Sequence, residues 1–268
     1  MIRLSVTPRF FAPLLLLVAS LLLTSCVTVT ESRLTKKASP EKAVENYTQL
    51  GLGYLQRGRP DLARQRLQKA LDIEEDYAPA NDAMGLLWQT EGEFDLAEEY
   101  FRKAIRNDGS FTRARHNLGR LFSQTKEYAS AESELKRASG DRYYDNRVGA
   151  MNDLALNFYR QNKIEQAIDT YGQTLRIAPY NAEALVNGST LLFEAQRYEE
   201  SLKYFDRFDR LVQREQAAHN AHSLWLGIKL LTIQQDTRRT IALATDLKRN
   251  FPDSVEYRLY QESLTGAN

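Results

Sequence analysis

Three histidines, one cysteine and a row of arginines are the residues of this 268-residue chain whose types and spacing could do chemistry. His219 and His222 stand three apart and would hold a metal only with a third ligand, for which Glu215 is the nearest candidate. There is no HExxH pair, no glycine-rich phosphate loop and no GxSxG elbow. Acidic residues are plentiful but scattered, not paired as general acid and base in one cleft. The sequence therefore offers no catalytic residue, no metal site and no cofactor, and the chain is expected to bind rather than to turn over a small-molecule substrate. Arg113, His116 and Arg120 fall at i, i+3 and i+7, on one side of a helix, and could receive a carboxylate from a partner through charge-assisted hydrogen bonds. Asn117 and Asn187 are amides suited to gripping a peptide backbone. Cys26 stands alone, so no internal disulfide is possible.

A repeated helix pair must position these residues. Ala78 to Phe111 reads as two short helices: the first carries Met84, Gly85 and Trp88 on one face, and Glu91-Gly92-Glu93 breaks it. The second puts Ala97, Phe101 and Ala104 on one stripe. Neither helix can bury its apolar face alone, so the pair needs a copy on each side. The copies are present. The preceding unit has Gly51, Tyr54, Ala63, Leu67 and Ala70, and the following one has Gly119, Phe122, Ala131, Leu135 and Ala138. A fourth has Ala155, Phe158, Ala167 and Tyr171, a fifth Asn187-Gly188-Ser189 with Ser201 and Phe205, and a worn sixth has Gly227, Leu230 and Leu243. Small residues at the eighth and twentieth positions let two helices approach, and a large one at the twenty-fourth fills the space left.

Six units in phase resemble the tetratricopeptide repeat over roughly residues 44 to 253. The resemblance implies an all-α fold, a right-handed superhelical solenoid of about six repeats. The domain spans 43–268, with units near 44–77, 78–111, 112–147, 148–181, 182–215 and 220–253. A C-terminal capping helix carrying Val255, Leu259 and Leu264 is expected to cover the last unit. Two extra residues around Gly140 to Asn146 predict a looser turn, and Arg239 stands where the sixth unit should be small. In arrays of this kind the first helices line the concave face. That assigns Leu52, Leu55, Leu86, Arg113, His116, Arg120, Asn152, Leu156, Tyr159 and Phe193 to a partner-binding groove, with Val186 and Arg160 also facing it. Leu224, Ile228 and Leu231 are expected to pack on neighbouring helices instead.

Residues 1–25 read as a leader: Arg3 and Arg9 make a basic start, and Phe10 to Leu23 is an apolar run too short for a membrane span. Leu23-Thr24-Ser25-Cys26 resembles a bacterial lipoprotein box, which implies cleavage before Cys26 and acylation of that residue. Val27, in place of the aspartate that would favour inner-membrane retention, implies an outer-membrane destination facing the periplasm. Residues 26–42 read as a lipidated tether with a reach of roughly 20–24 Å. Pro40 marks the start of the first helix, and Ser39 is its cap. Without the leader, the 36 basic residues lose Arg3 and Arg9 and leave 34 against 35 acidic ones. A body this close to neutral is a poor partner for nucleic acid.

A leader, a short tether and repeats filling the rest resemble the type IV pilus biogenesis and stability lipoproteins of the PilF/PilW pilotin family. Tyr47-Thr48-Gln49-Leu50-Gly51-Leu52-Gly53-Tyr54-Leu55 and Ala150-Met151-Asn152-Asp153-Leu154-Ala155 carry the likeness. It implies an outer-membrane lipoprotein that binds the secretin, a ring-forming channel, and promotes targeting and multimerisation of its subunits. The alternative is a lipid-anchored periplasmic scaffold recruiting cell-wall synthases or hydrolases.

Overall fold

The computed structural model describes residues 39–265. The expectations for the leader, for Cys26 and for the tether as far as residue 38 lie outside the described residues. Those residues form thirteen helices and no strand. The first pair is α1 (Pro40–Gln56) with α2 (Pro60–Ile73), and the second is α3 (Ala78–Glu91) with α4 (Phe94–Asn107). Next come α5 (Thr112–Gln124) with α6 (Tyr128–Gly140), then α7 (Arg147–Arg160) with α8 (Ile164–Ile177). The pairs α9 (Ala182–Glu194) with α10 (Tyr198–Gln213) and α11 (Ala221–Ile233) with α12 (Thr237–Asn250) follow, before a single α13 (Val255–Thr265). Ser39 caps α1 by accepting from the Lys42 amide at 3.4 Å. Asn181 and Asn220 cap α9 and α11, each accepting a backbone N–H at 2.8 Å.

The side-chain sizes that repeat in the sequence are the contacts that join each pair. A methyl group added at Gly85 would lie 2.6 Å from the Phe101 ring, at Gly51 2.5 Å from Leu67, and at Gly119 2.7 Å from Leu135. Ala155 meets the same demand beside Tyr171, both buried. In the fifth unit Ser189 and Ser201 take the two small positions. Ser189 Oγ donates to the Ser201 carbonyl at 2.8 Å, and Ser201 Oγ donates to the Ser189 carbonyl at 2.7 Å. Each buried hydroxyl is thereby satisfied. In the sixth unit Arg239 turns from the junction and reaches Asp206 at 2.8 Å and Asp209 at 3.1 Å on α10. That ion pair ties the worn unit to its neighbour.

Every first helix ends the same way. Gly58, Gly92, Lys126, Asn162, Gln196 and Gln235 all have positive φ, and the next residue's amide bonds back five residues, as Glu127 N to Phe122 O at 2.8 Å and Arg197 N to Leu192 O at 2.8 Å. Only two of the six are glycine, and an L side chain in that region costs about 1 kcal/mol. Gln196→Gly is therefore expected to raise stability by about 0.5–1 kcal/mol in a urea titration. An unchanged midpoint would show that the φ of 59° there carries no strain.

Each second helix packs on the first helix of the next unit, as α6 on α7 and α8 on α9; first helices also approach one another, α3 to α5, α5 to α7 and α9 to α11, whereas the second helices do not approach one another as closely. The first helices therefore lie on the inside of the curve. The last helix does cover α11, but with Tyr257 and Tyr260 rather than the expected Val255, Leu259 and Leu264, which are exposed. At 100° per residue Val255 and Leu259 fall on the stripe opposite those tyrosines, and Leu264 lies at the last turn. Trp225 offers a ring surface that Tyr260 meets edge-on at 6.3 Å.

Candidate peptide-binding groove

The inner face opens at its N-terminal end on Leu52, Leu55 and Leu86, all partly buried. Leu52 and Leu55 pack on the cluster of Val44, Leu67 and Leu87, and Leu86 packs on the cluster of Phe101 and Leu118. Beyond them runs a polar network. Asp82, 0 % exposed, accepts from Arg113 Nε and from Asn117 Nδ2, both at 2.8 Å. Burial pushes its carboxyl above the usual range, against the downward pull of Arg113. His116 places Nε2 2.7 Å from Asp153 Oδ2 and Nδ1 2.9 Å from the Tyr144 hydroxyl. An ionised Asp153 can only accept, so Nε2 donates; in the neutral ring Nδ1 then accepts from Tyr144. Tyr144 comes from the turn that holds the two extra residues of the third unit. The break in phase thus delivers its hydroxyl to His116.

The row of Arg113, His116 and Arg120 is consequently not open along its length. His116 is 3 % exposed with both ring nitrogens engaged, and Arg113 is tied to Asp82. Asn117 is buried on Asp82. Asn152, 2 % exposed, donates to Asn181 at 3.1 Å and Glu183 at 2.9 Å. His116 and Asn152, at the fifth positions of their units, point at the junction with the next unit and bond its residues, whereas Asn117, at a sixth position, is held by Asp82 of the preceding unit. Arg120 remains exposed, 3.6 Å from Asp153. Asn187 donates to the Tyr171 hydroxyl at 3.3 Å, and burial pushes that phenol up to about 12. Phe193 lies under Lys229, whose Nζ is 4.3 Å from the ring centre.

Two adjoining hollows bring the accessible groove residues together. The first, about 520 Å³, is lined by Arg120, Ser123, Asp153, Leu156 and Arg160 among others, and Arg160 donates to Ser123 Oγ at 2.8 Å. The second, about 220 Å³, is lined by Leu156, Tyr159, Tyr171, Thr190, Leu191 and Glu194 among others, with Tyr159 41 % exposed. Leu156 belongs to both. Leu52 and Leu55 lie at the other end, away from these hollows. Sequence reasoning missed Tyr171 as a groove residue. The signal was present: the twenty-fourth position is tyrosine only there, and a ring filling the space beside Ala155 carries its hydroxyl through to the inner face. The other two histidines part company. His219 packs edge-on against Phe208 and bonds Asp209 and Ser223, whereas His222 meets Thr190 Oγ1 at 3.0 Å. Among the described residues no group of three His, Cys, Asp or Glu is placed to hold a metal.

Six helix pairs locked small against large, with their first helices lining one face, define an all-α tetratricopeptide repeat solenoid. The tetratricopeptide repeat family model matches residues 83–143 and 152–218. The type IV pilus assembly protein PilF of Pseudomonas aeruginosa strain PAO1 is 33 % identical over 240 residues, spanning 89 % of this chain and 93 % of that protein. This chain belongs to the PilF family of type IV pilus assembly proteins. The solved structure of Pseudomonas aeruginosa PilF matches with a TM-score of 0.77, covering 84 % of this chain and 100 % of that one. PilW, described as a widely conserved type IV pilus biogenesis factor, shares the fold at a TM-score of 0.70 and 19 % identity over 82 % of this chain and 99 % of its own.

Proposed function

We propose that the chain is a pilotin: an outer-membrane lipoprotein that holds a secretin subunit in its groove while acyl chains on Cys26 carry the complex to the membrane. The observation that carries the reading is an inner face with accessible apolar residues, Leu156 and Tyr159, on a member of a type IV pilus assembly family. Binding alone suffices, and no turnover or bound group enters. A single acyl chain anchors only marginally, so the Leu-Thr-Ser-Cys sequence matters because it implies more than one. Leu52, Leu55 and Leu86, on the first helices of the first two units, supply further apolar contact for a helix or extended segment.

The test compares SDS-resistant secretin multimers in cells with the gene, without it, and with Cys26→Ala. Loss of multimers and surface pili without the gene is expected. Cys26→Ala should leave secretin bound but unassembled at the outer membrane. Unchanged multimers and pili, with altered cell shape, would discard the pilotin reading in favour of the cell-wall scaffold.

A further inference from the structure

We infer that the groove across the third to fifth units selects a partner segment bearing a carboxylate about one helical turn from a large apolar side chain. The carboxylate meets Arg120 and Arg160, and the apolar side chain enters the hollow of Leu156, Tyr159 and Tyr171. This rests on the reading that the groove holds a protein, and adds what that protein must present.

Charge argues first. Arg120, Lys126 and Arg160 line the first hollow, and Asp153 is the only carboxylate lining it. Asp153 already accepts from His116 and faces Arg120. Among the described residues Arg160 bonds only Ser123, and a guanidinium has five N–H donors, so most of its capacity is unused there. Neither Arg160 nor Lys126 makes an ion pair among the described residues. An incoming carboxylate balances this excess, and Arg120 and Arg160 can bind it by charge-assisted bonds.

Size argues next. The second hollow, about 220 Å³, is below the range of roughly 300–1,000 Å³ typical of small-molecule sites. It suits one leucine, phenylalanine or tyrosine side chain, with Leu156, Leu191 and the Tyr171 ring as its walls. Spacing then fixes the partner. Leu156 and Arg160 are i and i+4 on α7, about 5–6 Å apart at Cβ. The two partner groups must therefore lie within about one turn of a helix, or two residues of extended chain. Glu194 lines the apolar hollow and not the basic one, so a segment inserted in the reverse sense would bring its carboxylate against another. The groove thus has a polarity as well as a composition.

The experiment pans a phage-displayed library of random 12-residue peptides on the full chain in detergent, without any secretin present. Enriched peptides should carry Asp or Glu within four positions of Leu, Phe or Tyr. The best of them should bind at least tenfold more weakly to Arg120→Glu/Arg160→Glu and to Leu156→Ser, with helical content unchanged by circular dichroism. The single Arg160→Ala, an exposed side chain, serves if the double variant fails to fold. Enrichment of neutral or basic peptides, no enrichment, or equal binding by the arginine variants would overturn the inference. Pull-down of purified secretin separates it from the functional proposal. Secretin bound equally well by the arginine variants leaves the pilotin reading standing and this one fallen. Peptides of the expected kind bound by a chain that ignores secretin give the reverse.

Discussion

Phe101→Ala is expected to destabilise the chain by about 3–5 kcal/mol, because the ring is wholly buried and fills the space that Gly85 leaves open. In a solenoid each unit touches only its neighbours, so the loss should be local. Hydrogen exchange should accelerate in α3, α4 and α5 while α11 and α12 keep their protection. The reverse change tests the same contact: Gly85→Ala puts a methyl group 2.6 Å from the ring, an overpacking that costs about 1–3 kcal/mol. The two together should cost less than their sum by at least about 1 kcal/mol, since the new methyl group grows into the space the ring vacates. Strict additivity in a double-mutant cycle would mean that these side chains do not lock the pair, and the account of the repeat would fail with it.

That lock was legible in the sequence because it depends on side-chain size alone. Gly85 against Phe101 and Gly119 against Leu135 could be read off as small and large residues in step, and Ser189 beside Ser201 as the two small positions of the fifth unit. The left-handed turns were not. Gly58, Gly92 and, more weakly, Asn162 announce them, but Lys126, Gln196 and Gln235 adopt the same φ under the demand of the helix pair, and nothing in their chemistry marks it. Groove residues were legible in part. Leu156, Tyr159 and Arg120 lie at ninth and twelfth positions, which stay on the inner face. His116 and Asn152 lie at fifth positions, where the next unit's first helix covers them, and periodicity within one helix cannot report what another helix hides. Tyr144 was beyond reach for a similar reason: an insertion looks like a loosened turn until its side chain is found on His116.

Asp82→Ala and Asp82→Asn are expected to differ sharply, and the difference tells what the buried carboxyl is for. Alanine leaves the Asn117 amide buried without its acceptor and frees Arg113 from its partner, a loss of about 2–4 kcal/mol. Asparagine keeps one acceptor and removes the charge. Because burial raises the Asp82 carboxyl above its usual 3.8, the folded chain holds that proton more tightly than the unfolded chain does. Its contribution to stability is therefore fully present below about pH 3.8 and is lost as the pH rises through the folded value. Other carboxyls run the opposite way: Glu132, held by Lys136 and Lys163, is lowered to about 2. Only the difference between wild type and Asp82→Asn isolates the one group. In urea titrations from pH 3 to pH 8 that difference should move in favour of Asp82→Asn as the pH rises, while Asp82→Ala stays well below both. An Asp82→Asn protein as weak as Asp82→Ala at neutral pH would show that the charged pair with Arg113 stabilises the junction of the second and third units. The expected result assigns Asp82 another role: as an acceptor with two donors from the next unit, it fixes how that unit seats, and so sets where Arg120 stands on the groove.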